Sequence, residues 1–250
     1  MSAAELFTLD IVDHRLWPAL AIVVVAGAMR GFAGFGSAMA MSPILAWLYG
    51  PTEMIVLITV MELIVSFQLV PGALKDGEWR FVGPLTLAAV VTMPLGVWLL
   101  QRIDADLLTR IVAGVVVVFT LYLMTGFRYR GPKRLSITLG LGGVSGVLIA
   151  TTSMGGPPVL AYILSGPDRA AVNRANIILY YALTEIALIL AIWQQDLITP
   201  EALSRGLLFT PFYLLTAALG ARLFQASSEQ LYRRLALVFL LAVGTLALLR

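Results

Sequence analysis

The chain has 250 residues, of which 60% are hydrophobic and only 12% are charged, about half the charged share of an average soluble domain. Its net charge of +3 comes from scattered residues and not from a basic run, and it contains no cysteine. These features do not support nucleic-acid binding and exclude disulfides and Cys-ligated metals, and we expect an integral membrane protein.

Apolar blocks separated by charged residues follow one another along the chain. They are 16–29, 37–49, 54–73, 81–100 and 111–127, followed by 136–150, 155–165, 175–193, 206–221 and 235–249. A helix of about 20 residues crosses a hydrocarbon core of about 30 Å. The pattern predicts an all-α, polytopic transmembrane helical bundle.

The two sets of blocks resemble each other. Pro43-Ile-Leu-Ala-Trp matches Pro158-Val-Leu-Ala-Tyr, and "LGVWLLQ" matches "LGARLFQ". We therefore interpret the chain as an internal duplication, which is common in transporter folds. The predicted domains are an N-terminal tail (1–15) without the features of a cleaved signal peptide, a first membrane repeat (16–127), a cytoplasmic linker (128–134) and a second membrane repeat (135–250).

The first segment of each repeat is too long for one straight crossing. Residues 135–167 include no charged residue, and the matching stretch 16–52 is interrupted only by Arg30 within its apolar run. We expect each stretch to fold back into two short helices, with the break where helix propensity is lowest. The breaks are predicted in "GFAGFGS" (31–37) and "IATTSMGGPP" (149–158). The two repeats would then be inverted relative to each other.

The basic residues favour this hairpin interpretation. Eleven Lys and Arg residues then lie on one side and five on the other, whereas single helices would give eight on each side. Cytoplasmic loops carry the excess of Lys and Arg. We therefore expect both termini to be periplasmic or extracellular, and the chain to be a multi-pass protein of the cytoplasmic (inner) membrane.

The residues at the two breaks are candidates for a substrate site. Unwound backbone at membrane depth is tolerated only where it is buried in protein or lines a watery cavity. Two helix N-termini meeting there would direct N–H groups and partial positive charge at one point, which favours an anion. The candidate residues are Gly34, Gly36, Ser37, Thr151, Thr152, Ser153, Gly155 and Gly156. Helix packing alone is the alternative, and we favour it for the pairs Gly27/Gly31 and Gly142/Gly146.

Three ionisable residues lie within apolar segments. Glu62 and Glu185 occupy corresponding helices of the two repeats, and both are predicted to carry protons, because a carboxyl group removed from water binds its proton more readily. A structural ion pair or an interhelical hydrogen bond is the alternative. Arg30 either reaches the membrane interface or supplies a fixed positive charge for the substrate.

A polar cluster follows the second break. Asn173, Arg174 and Asn176 could line a cytoplasmic vestibule and contact the substrate there. A solvated helix start is the alternative for these three residues.

At these residues the chain resembles the sulfite exporter TauE/SafE family. The resemblance rests on "GFAGFGSAMAMSPIL", "GGVSGVLIATTSMGGPPVLAYIL", the "LGVWLLQ" and "LGARLFQ" pair and "DRAAVNRAN", and it extends from about Leu16 to Leu249. It implies transport of small organosulfur or sulfur oxyanions, such as sulfite or sulfoacetate.

The leading hypothesis is a secondary transporter of a small anion, with alternating access about the two hairpins and proton coupling. A passive anion channel or a non-transporting membrane subunit is the alternative. An enzyme is not expected, because the chain has one His, no Cys and neither a GxSxG nor an HExxH motif. No cofactor or metal is implied. The predicted partners are the anionic substrate and the lipid bilayer, and the sequence leaves open whether the chain forms a homo-oligomer.

Overall fold

The computed structural model describes residues 13–33, 36–126, 129, 131, 133–164, 169–226 and 229–249. Within these ranges the chain is all helical and contains no strand. The helices are α1 (Leu16–Ala33), α2 (Ser37–Tyr49), α3 (Pro51–Ala73), α4 (Trp79–Arg102), α5 (Ala105–Met124), α6 (Leu135–Thr152), α7 (Pro157–Ile163), α8 (Ala170–Trp193), α9 (Pro200–Ala226) and α10 (Glu229–Leu248). The predicted all-α class is confirmed.

In the part of the chain that the structure describes, six helices are long and apolar enough to cross a membrane: α3, α4, α5, α6, α8 and α9. On α4, Leu87, Val91, Leu95 and Trp98 share one helix face and are all at least half exposed, with Val91 69% exposed. A soluble monomer rarely exposes such a continuous apolar surface, whereas a lipid-facing helix requires it. The chain is a multi-pass membrane protein.

Both predicted hairpins double back. The Arg15 guanidinium donates a hydrogen bond to the Leu48 carbonyl (3.0 Å), so the start of α1 lies beside the end of α2. In the second hairpin, the Tyr162 hydroxyl donates to the Arg134 carbonyl (3.1 Å) and lies 3.0 Å from the Thr138 hydroxyl. The start of α6 therefore lies beside the end of α7.

The hairpins open on opposite faces of the bundle. An ion pair of 2.6 Å between Glu53 and Arg205 joins the starts of α3 and α9 beside the end of α2, and we call this side the Arg205 face. On the other side, the Glu78 face, the Phe81 ring at the start of α4 packs against Tyr162 in the second hairpin (5.7 Å between centroids). Inverted halves would give this arrangement, although the repeat relation itself stays a prediction.

The longest helix contacts cross between the halves. α1 packs along α9 and α4 packs along α6, while α3 and α8 meet at the centre of the bundle. A Cβ at Gly27 would overlap Thr216 on α9, and a Cβ at Gly146 would overlap the Ala89 carbonyl on α4. Gly142 meets α4 in the same way. The packing interpretation is confirmed for these three glycines.

Candidate functional site

The two helix breaks meet at one cavity, whose lining includes three charged residues. Its empty volume is about 450 Å³, including the part that is open to solvent. α1, α2 and the first break contribute Arg30, Gly36, Ser37, Ala38 and Met39; the second break and α7 contribute Ser153, Met154, Gly155, Gly156, Pro157 and Leu160; α3 and α8 contribute Glu62, Tyr181 and Glu185. The structure thus brings together predicted site residues that are far apart in the sequence.

Glu62 is held by three other helices. Its Oε1 accepts hydrogen bonds from the hydroxyls of Ser37 on α2 (2.5 Å) and Tyr213 on α9 (2.6 Å). Its Oε2 lies 3.4 Å from Nη2 of Arg30 on α1. The carboxyl group therefore accepts on one oxygen and faces a cation with the other, as an ionised carboxylate does.

Glu185 has a different environment, although it lines the same cavity. Its side chain is 6% exposed, and its Oε2 makes no hydrogen bond to any residue that the structure describes. A buried carboxylate oxygen without a hydrogen-bond partner is costly when it carries charge. On this oxygen Glu185 lacks the fixed contacts that Glu62 makes.

The first break presents a helix N-terminus to the cavity. Gly36 precedes α2 with φ of 90°, a left-handed conformation that glycine adopts without strain. Ser37, Ala38 and Met39 are the first residues of α2, and their N–H groups have no acceptor within the helix. These donors can bind an anion.

The second break is built differently. Ser153 is left-handed with φ of 58°, and its hydroxyl is buried without a hydrogen-bond partner among the described residues. α7 then begins with Pro157 and Pro158, which have no N–H group. Pro157 and Pro158 therefore supply no N–H donor at the start of α7, and Ser153, Gly155 and Gly156 line the cavity at this break.

Two further hydroxyls fix the backbone of the second break. The Tyr180 hydroxyl donates to Ser145 Oγ (2.6 Å), which in turn donates to the Gly155 carbonyl (2.5 Å). The carbonyl oxygen of Gly155 carries partial negative charge. The hydrogen bond from Ser145 ties this oxygen to α6. These two hydrogen bonds in series connect the second break to α8.

Thr151 and Thr152 do not line the cavity. The Thr151 hydroxyl donates to the Val147 carbonyl (2.9 Å) and the Thr152 hydroxyl to the Leu148 carbonyl (2.6 Å), both within α6. A hydroxyl that bonds back to its own helix is common in apolar helices. Gly34, the remaining glycine of the first predicted motif, lies outside the described residues.

The polar cluster after the second break also lies apart from the cavity lining. Asn176 is fully buried, and its Oδ1 accepts the Glu78 N–H (2.8 Å), which joins the starts of α4 and α8. Asn173 is buried and Arg174 is exposed at the start of α8. In this structure the cluster belongs to the Glu78 face.

Sequence analysis missed Tyr213 and Tyr181, two tyrosines close to the charged groups. Tyr213 is fully buried and Tyr181 lines the cavity. A tyrosine in the middle of an apolar helix needs a partner for its hydroxyl, and this signal could have identified Tyr213.

The structure has the features of a membrane transport protein. Its helices expose apolar faces suited to lipid, and two of its helical segments are interrupted at a cavity that contains charged groups. The family model for the sulfite exporter TauE/SafE matches residues 19–246, nearly the whole chain. The chain belongs to the sulfite exporter TauE/SafE family, a family of membrane transporters of sulfur anions. Comparisons with curated proteins and with solved structures gave no match.

Proposed function

We propose that the protein is a proton-coupled secondary transporter of a small sulfur oxyanion or organosulfonate, such as sulfite or sulfoacetate, with alternating access to the cavity. The observation that carries this proposal is the meeting of both helix breaks with Arg30, Glu62 and Glu185 in one buried cavity. Backbone N–H groups, a hydroxyl and one guanidinium suit an oxyanion that must also leave again.

The charges of the cavity support proton coupling. With both carboxyl groups ionised, Arg30 leaves the lining with one net negative charge, which repels an anion. One bound proton makes the lining neutral, and a second makes it positive. An anion therefore binds best together with at least one proton, and the two cross the membrane together.

The two carboxyl groups have different roles in this proposal. Glu62 faces Arg30 and accepts hydrogen bonds from two hydroxyls before substrate binds, so it orients the cation of the cavity. Glu185, whose Oε2 has no hydrogen-bond partner among the described residues, loads and releases the proton. This assignment is narrower than the sequence-based one, in which both glutamates carry protons.

The basic residues support a cytoplasmic position of the Glu78 face. Lys75, Arg80, Lys133 and Arg134 flank helix ends on this side, beside the starts of α4 and α6. The positive-inside rule then assigns both termini to the opposite side of the inner membrane.

The test is uptake by proteoliposomes of purified protein, with sulfite, sulfoacetate, taurine and acetate as substrates, with and without an imposed pH gradient. We expect saturable uptake of sulfite or sulfoacetate that the gradient drives to accumulation. Protein-free liposomes are the control. Gradient-independent flux that does not saturate would support a passive channel, and transport of the zwitterion taurine alone would refute the anion site.

A further inference from the structure

The proposed function leaves one fully buried polar group of the central cluster without a role. Tyr213 on α9 is 0% exposed, and its hydroxyl donates to Glu62 Oε1 at 2.6 Å. Ser37 donates to the same oxygen from α2 at 2.5 Å. Two hydroxyls on one carboxylate oxygen hold the group in one orientation, with its other oxygen toward Arg30.

We infer that Tyr213 is a positioning residue of the transport site, which holds Glu62 beside Arg30 as a built-in competitor of the substrate anion. This inference rests on the proposed function and adds to it a residue that sets apparent affinity. In the empty cavity Glu62 takes the place of the substrate's negative charge. A substrate anion binds Arg30 at the expense of this contact.

The geometry of the ion pair supports competition. The closest Arg30–Glu62 separation is 3.4 Å, longer than the 2.7–2.9 Å of a short charge-assisted hydrogen bond. The carboxylate thus faces the guanidinium without engaging it tightly. A small oxyanion offers several oxygens to a guanidinium, whose planar fork suits bidentate contacts.

The position of Tyr213 is set by the packing of α1 on α9. A Cβ at Gly27 of α1 would come 2.7 Å from the Tyr213 carbonyl, so the two helix backbones touch at this level. Arg30 lies three residues after Gly27, on the same face of α1. The contact therefore fixes the Tyr213 hydroxyl and the Arg30 guanidinium relative to each other, with Glu62 between them.

Four ionisable groups act on Glu62 from the helices around it. They are Arg30 on α1, Tyr213 on α9, and Tyr181 and Glu185 on α8. Among these groups, Tyr213 donates a hydrogen bond to Glu62 through its hydroxyl. Removing this hydroxyl leaves the charge and the shape of the cavity lining nearly unchanged.

The experiment compares Tyr213→Phe with wild type for sulfite uptake by proteoliposomes across a pH series. Sulfite itself binds protons in a pH-dependent way. The two proteins are therefore compared at the same pH, where the protonation of sulfite is the same for both. We expect the variant's KM to be about tenfold lower than that of wild type at the alkaline end and equal at the acid end. Vmax should change by less than about twofold.

Ser37→Ala is the second variant, because it removes the other donor to the same oxygen, and we expect a shift in the same direction. Tyr162→Phe is the matched control: Tyr162 is also buried and hydrogen-bonded through its hydroxyl, but lies at the Glu78 face. Its KM should equal that of wild type at every pH.

Two results would overturn the positioning role. In the first, the ratio of variant KM to wild-type KM does not vary with pH in Tyr213→Phe and Ser37→Ala. In the second, Tyr162→Phe shows the same pH-dependent change. In either case the proposed function is untouched if wild type accumulates sulfite. Failure of the proposed function is visible separately, since wild type would then show no saturable uptake at any pH.

Discussion

The two hairpins have similar sequences around their breaks but present different chemistry to the cavity. The first supplies fixed charge and helix N–H donors, because Arg30 faces Glu62 and α2 begins with residues that have free amides. The second supplies a buried hydroxyl from Ser153, and its short helix begins with two prolines. Both hairpins fold back, while single residues near the breaks give the first hairpin a charged side and the second a neutral side.

The same division separates the two buried glutamates. Glu62 has two hydroxyl donors and a cation, whereas Glu185 has an oxygen with no hydrogen bond among the described residues. A transporter needs both a part that stays fixed and a part that changes its protonation. In the proposed mechanism Glu62 is the fixed part and Glu185 is the part that changes, so the two parts lie in different halves of the chain.

The largest expected effect is that of Arg30→Gln, which removes the cation of the charged side. It leaves Glu62 buried without its partner, and removal of one member of a buried pair costs about 3 kcal/mol or more, or about 100-fold in equilibrium terms. We expect sulfite uptake to fall at least about 100-fold by the same reasoning.

Stability and charge effects of this variant can be separated. Arg30→Gln/Glu62→Gln removes both charges and should recover thermal stability in detergent without recovering uptake. Arg205→Gln breaks the ion pair on the Arg205 face and should leave the KM for sulfite unchanged. Wild-type uptake by the double variant would show that Arg30 has only a structural role.

Glu185→Gln tests the other side of the comparison. The amide cannot carry a proton, so we expect no gradient-driven accumulation of sulfite. Exchange of external for internal sulfite should stay within about threefold of wild type, since an amide can still hydrogen-bond in the cavity. Both are measured in proteoliposomes, with and without a pH gradient. Accumulation at the wild-type level would remove Glu185 from the coupling mechanism.

Ser153→Gly removes the hydroxyl of the neutral side. Glycine tolerates the left-handed backbone at this position, so the change tests the hydroxyl and not the conformation. The loss of one hydrogen bond to an anion, about 1.5 kcal/mol, should raise the KM for sulfite by about tenfold. Thr151→Val is the contrasting variant, because the Thr151 hydroxyl bonds to its own helix. An equal KM change in both variants would show that Ser153 has no special role.

The sequence predicted the fold-back and the position of both breaks, because an uncharged stretch of 33 residues is too long for one crossing and glycine and proline mark its weakest point. It also identified Arg30, Glu62 and Glu185, since ionisable residues at membrane depth are rare. It could not distinguish the two glutamates. Their difference depends on Tyr213, which is 151 residues from Glu62 in the chain and reaches it only through the packing of α9.

Neighbouring polar residues were also beyond sequence reasoning. Ser153 lines the cavity while Thr151 and Thr152 do not, and the reason is local geometry. The two threonines are still helical and bond back to α6, whereas Ser153 is left-handed and turns out of the helix. If α6 ended one residue earlier or later, a different hydroxyl would face the cavity. The end of a helix cannot be predicted from sequence to within one residue.

The smallest expected effect comes from making the second hairpin resemble the first. Pro157 is the first residue of α7 and lines the cavity, so Pro157→Ala adds an N–H donor at a position that lacks one. An anion at a helix N-terminus gains about 0.3–1 kcal/mol, and the KM for sulfite should therefore fall by about threefold. The flexibility that proline removes would return, at a cost of about 0.5–1 kcal/mol in stability, visible as a slightly lower melting temperature in detergent. Pro51→Ala makes the same change at the first residue of α3, away from the cavity, and should lower stability without changing KM. If KM instead rose in Pro157→Ala alone, the proline would be acting by holding the shape of the second break, and anion binding on the neutral side would depend on backbone rigidity.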